Sequence, residues 1–599
     1  MIGILSRIWR QHWREIVLAL LVGAITIAPV FIFRISLGSR FQGMHFLPLD
    51  DEEFYLTRMQ EIVDGHPLIG SMFLWEYKNR PPLLPPTVEF IYVSISKILG
   101  VAPVAALIGG KFVWPAILFL LVFALVKQLT AGVKLSMWAA AAGGLLVTLG
   151  FDLVDYQRLV ALILGAPGQT GGLPLWARPV NPVAGAVGLF SFLNLLWLII
   201  ERRRRRLIPV ASLFLALMFG SYYFSWGMAL AITAVLGLVY LFYRRFAIIK
   251  DIFFVVILGV ILAAPYWYLV SWARSFPEFA AATTRFALLY TRQPLANNLV
   301  TVATLAFAGG LVIYQKWSAR QPGEASGGQL TLNTQPWAYW GGAFLVGSLA
   351  AFNQQVITGR AVWPFHFVSY SIPLVYLAAV VMLARLGSLR WSKLASSLLA
   401  ALGVAAVLFS VAMAARFYQV HYQTFVERQP WAELFTWFNQ NTPRDSVVLV
   451  APNAFPLDQF ITAYTHNNVY LTEPGNVLAP AERFYHNYLT LLRLKEVPAA
   501  AMADYLEAHP AEVTSFLSNS IFALQPTKEF PVREEQLEEV KRQLPADYGN
   551  FLQQDFISAL RQYRLNYLLS RGALSAPLAR ELGNPPLVKQ VGELFVYQM

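Results

Sequence analysis

Four consecutive carboxylates, Asp50-Asp51-Glu52-Glu53, form the densest group of chemically competent side chains in the chain, and Phe54 and Tyr55 follow them directly. A carboxylate is an ordinary general base toward a hydroxyl and an ordinary ligand for a divalent cation. The run opens a helical pattern that continues to Asp64. Acids are also welcome at a helix N-terminus, so capping is the plain alternative use. Capping needs one or two carboxylates, however, and four in a row repel one another. Neighbouring side chains on a helix diverge by ~100°, so the four cannot share one target. Asp50 and Glu53 fall together and Asp51 lies one turn from Tyr55, which lets one acid act on a substrate or metal while another caps.

Further polar groups recur in short segments between apolar runs. One segment carries Asp152, Asp155 and Arg158, then Arg178-Pro179-Val180-Asn181-Pro182. A second offers Arg274, Glu278, Arg285, Tyr290 and Arg292, and a third Asn353-Gln354-Gln355, Thr358-Gly359-Arg360 and His366. Arg178, Arg285, Arg292, Arg360 and His366 are thereby candidates for gripping a lipid phosphate. Pairing with acids or snorkelling to headgroups is the alternative for each arginine. His366, beside Trp363 and Pro364, reads equally as an interfacial polar residue.

The elements that must position these groups are membrane helices. Hydrophobic residues make up 57% of the 599 and charged ones 13%, a balance foreign to a soluble enzyme. Apolar runs near the ~20 residues needed to cross a bilayer fall at about 16–34, 105–127, 135–151, 183–200, 205–221, 223–243, 251–271, 298–315, 336–352, 365–384 and 394–415. The spacing thus predicts about eleven spans. The first resembles a signal anchor without a small-residue cleavage site, and its retention is expected.

Charge sets the orientation. Residues 1–415 hold 31 basic and 15 acidic side chains and residues 416–599 hold 15 and 19, so the net +12 is +16 in the first part and −4 in the second. The basic residues cluster in short loops: Lys127 with Lys134, Arg202 to Arg206, Arg244 with Arg245 and Lys250, Lys316 with Arg320, and Arg385 with Arg390 and Lys393. A cytoplasmic N-terminus puts all of these inside, as the positive-inside rule requires, and nucleic-acid binding is not indicated. Glu15, Glu201, Asp251 and Glu324 then fall inside, whereas eight of the other eleven acids of this part lie between Asp50 and Glu89 on the outside. The stretch 84–99, too short to span and carrying Glu89 and Lys97, is expected to lie on the outer surface as an amphipathic helix. With no cysteine in the chain, disulfides and thiolate metal sites are excluded.

Past residue 416 the pattern changes. β-rich runs at Ser446–Ala451, Asn468–Thr472, Ile521–Gln525, Tyr567–Ser570 and Leu594–Tyr597 alternate with helical stretches at Trp431–Asn441, Ala481–Leu494, Ala499–Ala508 and Glu534–Arg564, which predicts a small α/β domain. No glycine-rich phosphate loop follows its first strand, so a docking or acceptor-recognition role is expected of it. The expected domains are therefore a transmembrane part, 1–415, with a first extracytoplasmic loop at 35–100, and an extracytoplasmic domain at 417–599.

Asp51-Glu52-x-x-Tyr55, then Asp64-Gly65-His66-Pro67, then Asn79-Arg80-Pro81-Pro82-Leu83-Leu84 leading into an amphipathic helix, resemble the first-loop pattern of integral-membrane glycosyltransferases of the GT-C fold. The branch resembled is that of lipid A aminoarabinose transferases and protein O-mannosyltransferases. The motif resemblance covers the first ~130 residues and the rest is architectural. Arg80 stands where that branch often has lysine, and Asp50 and Glu53 are acids beyond its pattern.

The resemblance implies a fold, an activity and a set of residue roles. It implies transfer of a sugar from a polyprenyl-phosphate donor to an extracytoplasmic glycan, lipid or protein acceptor, by inverting displacement, in the plasma (inner) membrane. It makes Asp51 the base, with Asp50 and Glu52 as the competing carboxylates, and places Tyr55 and Arg80 at the substrate. A divalent metal (Mg or Mn) is a possible cofactor, with Asp51, Asp152 and Asp155 as its candidate ligands. Membrane lipids are the other expected partners. Two other functional classes stay open: a non-catalytic scaffold for envelope assembly, and a lipid or polysaccharide transporter. A transporter is expected to show matched repeats or polar residues at mid-membrane.

Overall fold

The computed structural model describes residues 2–49, 51–155, 157, 160, 171–285, 288–319, 335–473, 475, 477–517 and 534–599. They fall into two compact units, each built from three separate stretches of chain.

The first unit comprises Met1–Ser36, Ala105–Pro265 and Thr291–Gln423 and is helical. In lipid each backbone N–H and C=O must find its partner inside the segment, which is why apolar runs of this length become helices. Among the described residues seven helices are long and apolar enough to cross a membrane: Arg10–Arg40, Pro103–Leu129, Val183–Ile200, Tyr223–Phe242, Asn298–Ser318, Pro364–Arg390 and Ser392–Glu427. The bent pair Phe246–Leu262 and Ala264–Arg274, with a 52° break, makes eight if it is one span. Three further expected spans are occupied by shorter helices, Ser136–Leu149 with 14 residues, Ile208–Phe219 with 12 and Pro336–Phe352 with 17. The chain is a multi-pass membrane protein. Asn194 is satisfied within it, donating to the carbonyls of Leu121 and Phe190 and accepting from Gln128 at 2.7 Å.

The second unit gathers Leu37–Val104, Tyr266–Tyr290 and Thr424–Met599. Its centre is a five-stranded sheet of β1 (Val447–Val450), β2 (Asn468–Val469), β3 (Tyr567–Arg571), β4 (Leu587–Val591) and β5 (Leu594–Gln598), in the order β2-β1-β3-β5-β4. β1 runs parallel to β2 and to β3, while β5 is antiparallel to β3 and β4. All four residues of β1 are buried, as befits a parallel strand covered on both faces. Alternate side chains feed the two faces. Val447 and Leu449 join Tyr488, Leu492 and Tyr548 on one side. Val448 and Val450 join Leu434, Phe438, Phe460 and Ile461 on the other, where Met44 also packs.

The expected strands at 446–451, 468–472, 567–570 and 594–597 all appear, shifted at their ends, and Ile521–Gln525 lies outside the described residues. β4 went unpredicted because it is an edge strand, mostly exposed, with Lys589 at its centre and two prolines before it. The first-loop helices Glu52–Asp64 and Thr87–Leu99 form where the sequence placed them. Gly65, at φ +105, ends the former in a conformation that a side chain would strain.

The first loop is part of the body of this unit. Gln429 grips it, donating to Met44 O at 2.8 Å and accepting from the Gln42 N–H at 2.9 Å. At the sheet edge the Val469 N–H donates to Phe73 O at 3.1 Å, and Thr57 and Thr462 hydroxyls meet at 3.1 Å. The segment 266–290 joins through Ala273, Phe276, Phe279 and Ala282, which pack against Leu83 and Leu478.

Candidate functional site

In the acid run, the residues divide the possible tasks. Asp50 lies outside the described residues. Asp51 occupies the N-cap position of Glu52–Asp64, yet its side chain makes no capping hydrogen bond, and its carbonyl accepts the Tyr55 N–H at 3.0 Å. Glu52 turns to the segment before the helix. It is fully buried, and its Oε2 accepts the Leu49 N–H at 2.9 Å, which ties down the segment that enters the helix. Tyr55 is buried one turn above Asp51.

Glu53 belongs to a third environment. It faces Arg428, whose guanidinium lies 4.6 Å from the Phe425 ring centre and 4.8 Å from that of Phe460. Burial, reinforced by the charges of Glu53 and Glu52, pushes the Tyr464 hydroxyl well above its ordinary range. Glu53 also lines a cleft of about 390 Å³ with Phe54, Phe73, Asp458, Glu473 and Phe516. Burial, helped by the Glu473 charge, raises the Asp458 carboxyl to about 6.

The remaining first-loop motif residues are held by buried charge. Lys78 Nζ sits 2.5 and 2.7 Å from the two oxygens of Glu61 and 3.4 Å from Asp445 Oδ1. His66 Nε2 lies 3.2 Å from both Asp445 oxygens. Burial alone would raise Asp445, but the Lys78 charge and the His66 hydrogen bond hold it below the usual carboxylate range. Glu61, more deeply buried, is raised by desolvation against the pull of Lys78. Arg58 bonds Glu89 at 2.5 Å and the carbonyls of Leu84 and Pro85, so it fixes the proline-rich entry to the Thr87–Leu99 helix.

Arg80 stacks 4.4 Å from the Phe276 ring centre and lies 3.5 Å from Glu278 Oε2. Its backbone presses on Gly70, where a Cβ would lie 2.1 Å from Arg80 O. The motif from Asp64 to Pro82 therefore folds as one charged, cross-braced pad.

The candidate phosphate ligands of the first unit separate into two environments. His366 Nδ1 lies 2.7 Å from Tyr222 Oη, with Trp363 and Phe224 rings around it and Arg178 within electrostatic reach. Arg178 follows the short turn Leu175–Ala177, which Trp176 anchors by donating to Val147 O. Arg292 donates to the carbonyls of Val356 and Ile357 at 3.1 and 3.0 Å and so braces the loop that ends in Gly359-Arg360. Arg360 itself is exposed. The side chain of Arg285 lies outside the described residues. Asp152 and Asp155 occupy one tight turn, joined by a backbone hydrogen bond of 3.0 Å.

Asp51 belongs to the second unit and this aspartate pair to the first. Among the described residues no three His, Cys, Asp or Glu side chains are grouped so as to hold a metal ion. No chemical step is therefore assigned to a metal below.

Sequence reasoning passed over Glu61, Lys78, Arg428, Asp445 and Asp458. Asp445 is 379 residues from His66, and no local pattern signals a partner at that distance.

No family model and no curated protein matches the chain. Among solved structures, ArnT from Cupriavidus metallidurans in the apo state aligns with 95% of this chain and 97% of its own length, at 13% identity and a TM-score of 0.44. The apo oligosaccharyltransferase of Archaeoglobus fulgidus aligns with 94% of this chain and 70% of its own, at 13% identity and 0.44. The archaeal AglB in complex with an inhibitory peptide and a dolichol-phosphate gives 94%, 70%, 12% and 0.42. The chain is similar in structure to these proteins over most of its length.

Proposed function

We propose that the chain is a membrane glycosyltransferase that moves a sugar from a polyprenyl-phosphate donor to a hydroxyl of an extracytoplasmic acceptor, with Asp51 as general base. The reading is carried by the division of labour in the acid run. The Asp51 side chain makes no hydrogen bond to the helix N-terminus, so it does not serve as the cap that a single acid at this position would ordinarily be, and Glu52 is engaged by the preceding Leu49 N–H.

In the reaction, the Asp51 carboxylate takes the proton of the acceptor hydroxyl as its oxygen bonds to the anomeric carbon. The bond from that carbon to the donor phosphate oxygen breaks, and the electron pair leaves with the polyprenyl phosphate. Backside displacement inverts the anomeric centre. Arg178 and His366, with Arg285, Arg292 and Arg360, are the groups assigned to the departing phosphate, where positive charge and hydrogen-bond donors lower the barrier. Tyr55 and Arg80 are assigned to substrate positioning. The soluble domain, fastened to the first loop by Lys78, Asp445 and Gln429, holds the acidic segment in place and recognises the acceptor.

The test is sugar transfer from purified polyprenyl-phosphate sugars by the amide variants of Asp50, Asp51, Glu52 and Glu53 at matched expression. Asp51→Asn should lose about 10²–10⁴-fold in rate. Full activity in all four variants would remove the carboxylate mechanism and leave a non-catalytic envelope scaffold as the better reading.

A further inference from the structure

The first unit contains a cavity of about 700 Å³ lined by Glu201, Arg203, Tyr240, Tyr243, Arg244, Arg245 and Tyr339, among others. These residues lie where the helices Val183–Ile200 and Tyr223–Phe242 end, at the loops that the charge pattern assigns to the cytoplasmic face. The transfer chemistry proposed above uses none of them.

The charges of the lining do not cancel. Asp251 pairs with two arginines of the neighbouring run, lying 3.3 Å from Arg203 Nη1 and 2.9 Å from Arg205 Nε. Glu201 is occupied as an acceptor: one of its oxygens takes hydrogen bonds from the Tyr240 hydroxyl and, at 3.1 Å, from Trp340 Nε1. Among the described residues Arg244 and Arg245 have no carboxylate partner, and both are exposed. The Tyr339 hydroxyl, on the same wall, lies against the Tyr243 hydroxyl without a hydrogen bond of good geometry. Its ring packs against Tyr243 at 5.3 Å and Tyr240 at 6.1 Å, which fixes the wall. Arg244 adopts φ +54, an uncommon conformation for a side-chain-bearing residue, in a turn closed by the Arg245 N–H bonding Tyr240 O at 2.8 Å.

Large apolar side chains flank the mouth. Phe246 in the lining is 64% exposed, and Ile200 and Ile248 line the cavity beside it, which suits acyl chains and not water. Two uncompensated guanidinium groups, a hydroxyl donor and an apolar flank together match a phosphodiester headgroup with lipid tails.

We infer that this cavity binds the headgroup phosphate of an anionic phospholipid, with Arg244 and Arg245 as the charged ligands and Tyr339 as a hydroxyl donor.

Competitive lipid retention by the full chain tests this. Purified protein in mild detergent, given equimolar phosphatidylglycerol and phosphatidylcholine, is examined by native mass spectrometry. Phosphatidylglycerol should be retained about tenfold over phosphatidylcholine, equivalent to about 1.4 kcal/mol. The double variant R244A/R245A should bring the ratio to within about twofold of unity, and Tyr339→Phe should lower it about two- to threefold. R390A/K393A, basic positions outside the cavity lining, should leave it unchanged. Should the double variant not remain monodisperse, Arg244→Gln and Tyr339→Phe each decide the matter alone. An unchanged ratio in these variants, or a ratio near one in the wild type, overturns the inference. Displacement of the lipid by millimolar inorganic phosphate overturns the lipid as occupant and makes the cavity a site for soluble phosphate.

Discussion

Single residues separate two jobs that one run of acids performs. Glu52→Ala removes the acceptor for the Leu49 N–H from a fully buried position and should lower unfolding stability by about 1–3 kcal/mol, as a buried donor left without its partner does. Asp51→Asn should change stability by less than about 0.5 kcal/mol while abolishing most transfer. Denaturation of the two variants beside their activity checks the split. Asp458 offers a pH signature. Its carboxyl is raised from 3.8 to about 6 by burial, so the folded state holds its proton more tightly than the unfolded chain does. The stability this contributes is present below about pH 4 and is lost as pH rises through about 6. Asp458→Asn should therefore stabilise the protein by about 1–3 kcal/mol at pH 7 to 8 and make no difference near pH 4. Unfolding midpoints measured across that range read out the sign directly.

Elements reveal how much of the fold and of the site the sequence carried. Helices were legible because their signal is local: apolar runs fix the membrane helices, and the acid run followed by Gly65 frames Glu52–Asp64. Strands β1, β2, β3 and β5 were legible from short β-branched and aromatic runs, whereas β4 was hidden by its exposure. In the candidate site, Asp51 stood out by type and spacing, and His66 only through the family resemblance. The Lys78–Glu61–Asp445–His66 cluster did not, since its charges are meaningful only once chain segments hundreds of residues apart have met. That cluster also ties first-loop elements to the sheet domain, through Asp445. Lys78→Ala leaves Glu61 buried without its cation and should cost about 3–5 kcal/mol. The double change Lys78→Met with Glu61→Gln removes both charges and should recover most of that loss. Thermal unfolding of the two variants beside the unaltered protein decides between a structural tie and an incidental contact.

At the scale of the whole molecule, the basic loops of residues 1–415 and the net acidic residues 416–599 set the expected orientation. Reporter fusions near residue 420 should be active only as extracytoplasmic reporters, and cytoplasmic activity there would reverse the topology and relocate every site discussed. The second unit is assembled from Leu37–Val104, Tyr266–Tyr290 and Thr424–Met599, which gives translation a part in its folding. The partners of His66, Lys78 and Met44 are synthesised more than 300 residues after the first loop. At ordinary ribosomal speed that is an interval of roughly 15 to 60 s. Through that interval the acidic segment waits with its ion pairs half made and its apolar side chains uncovered. A nascent chain stalled before residue 424 would present the motif without its brace, so competence arrives late and all at once.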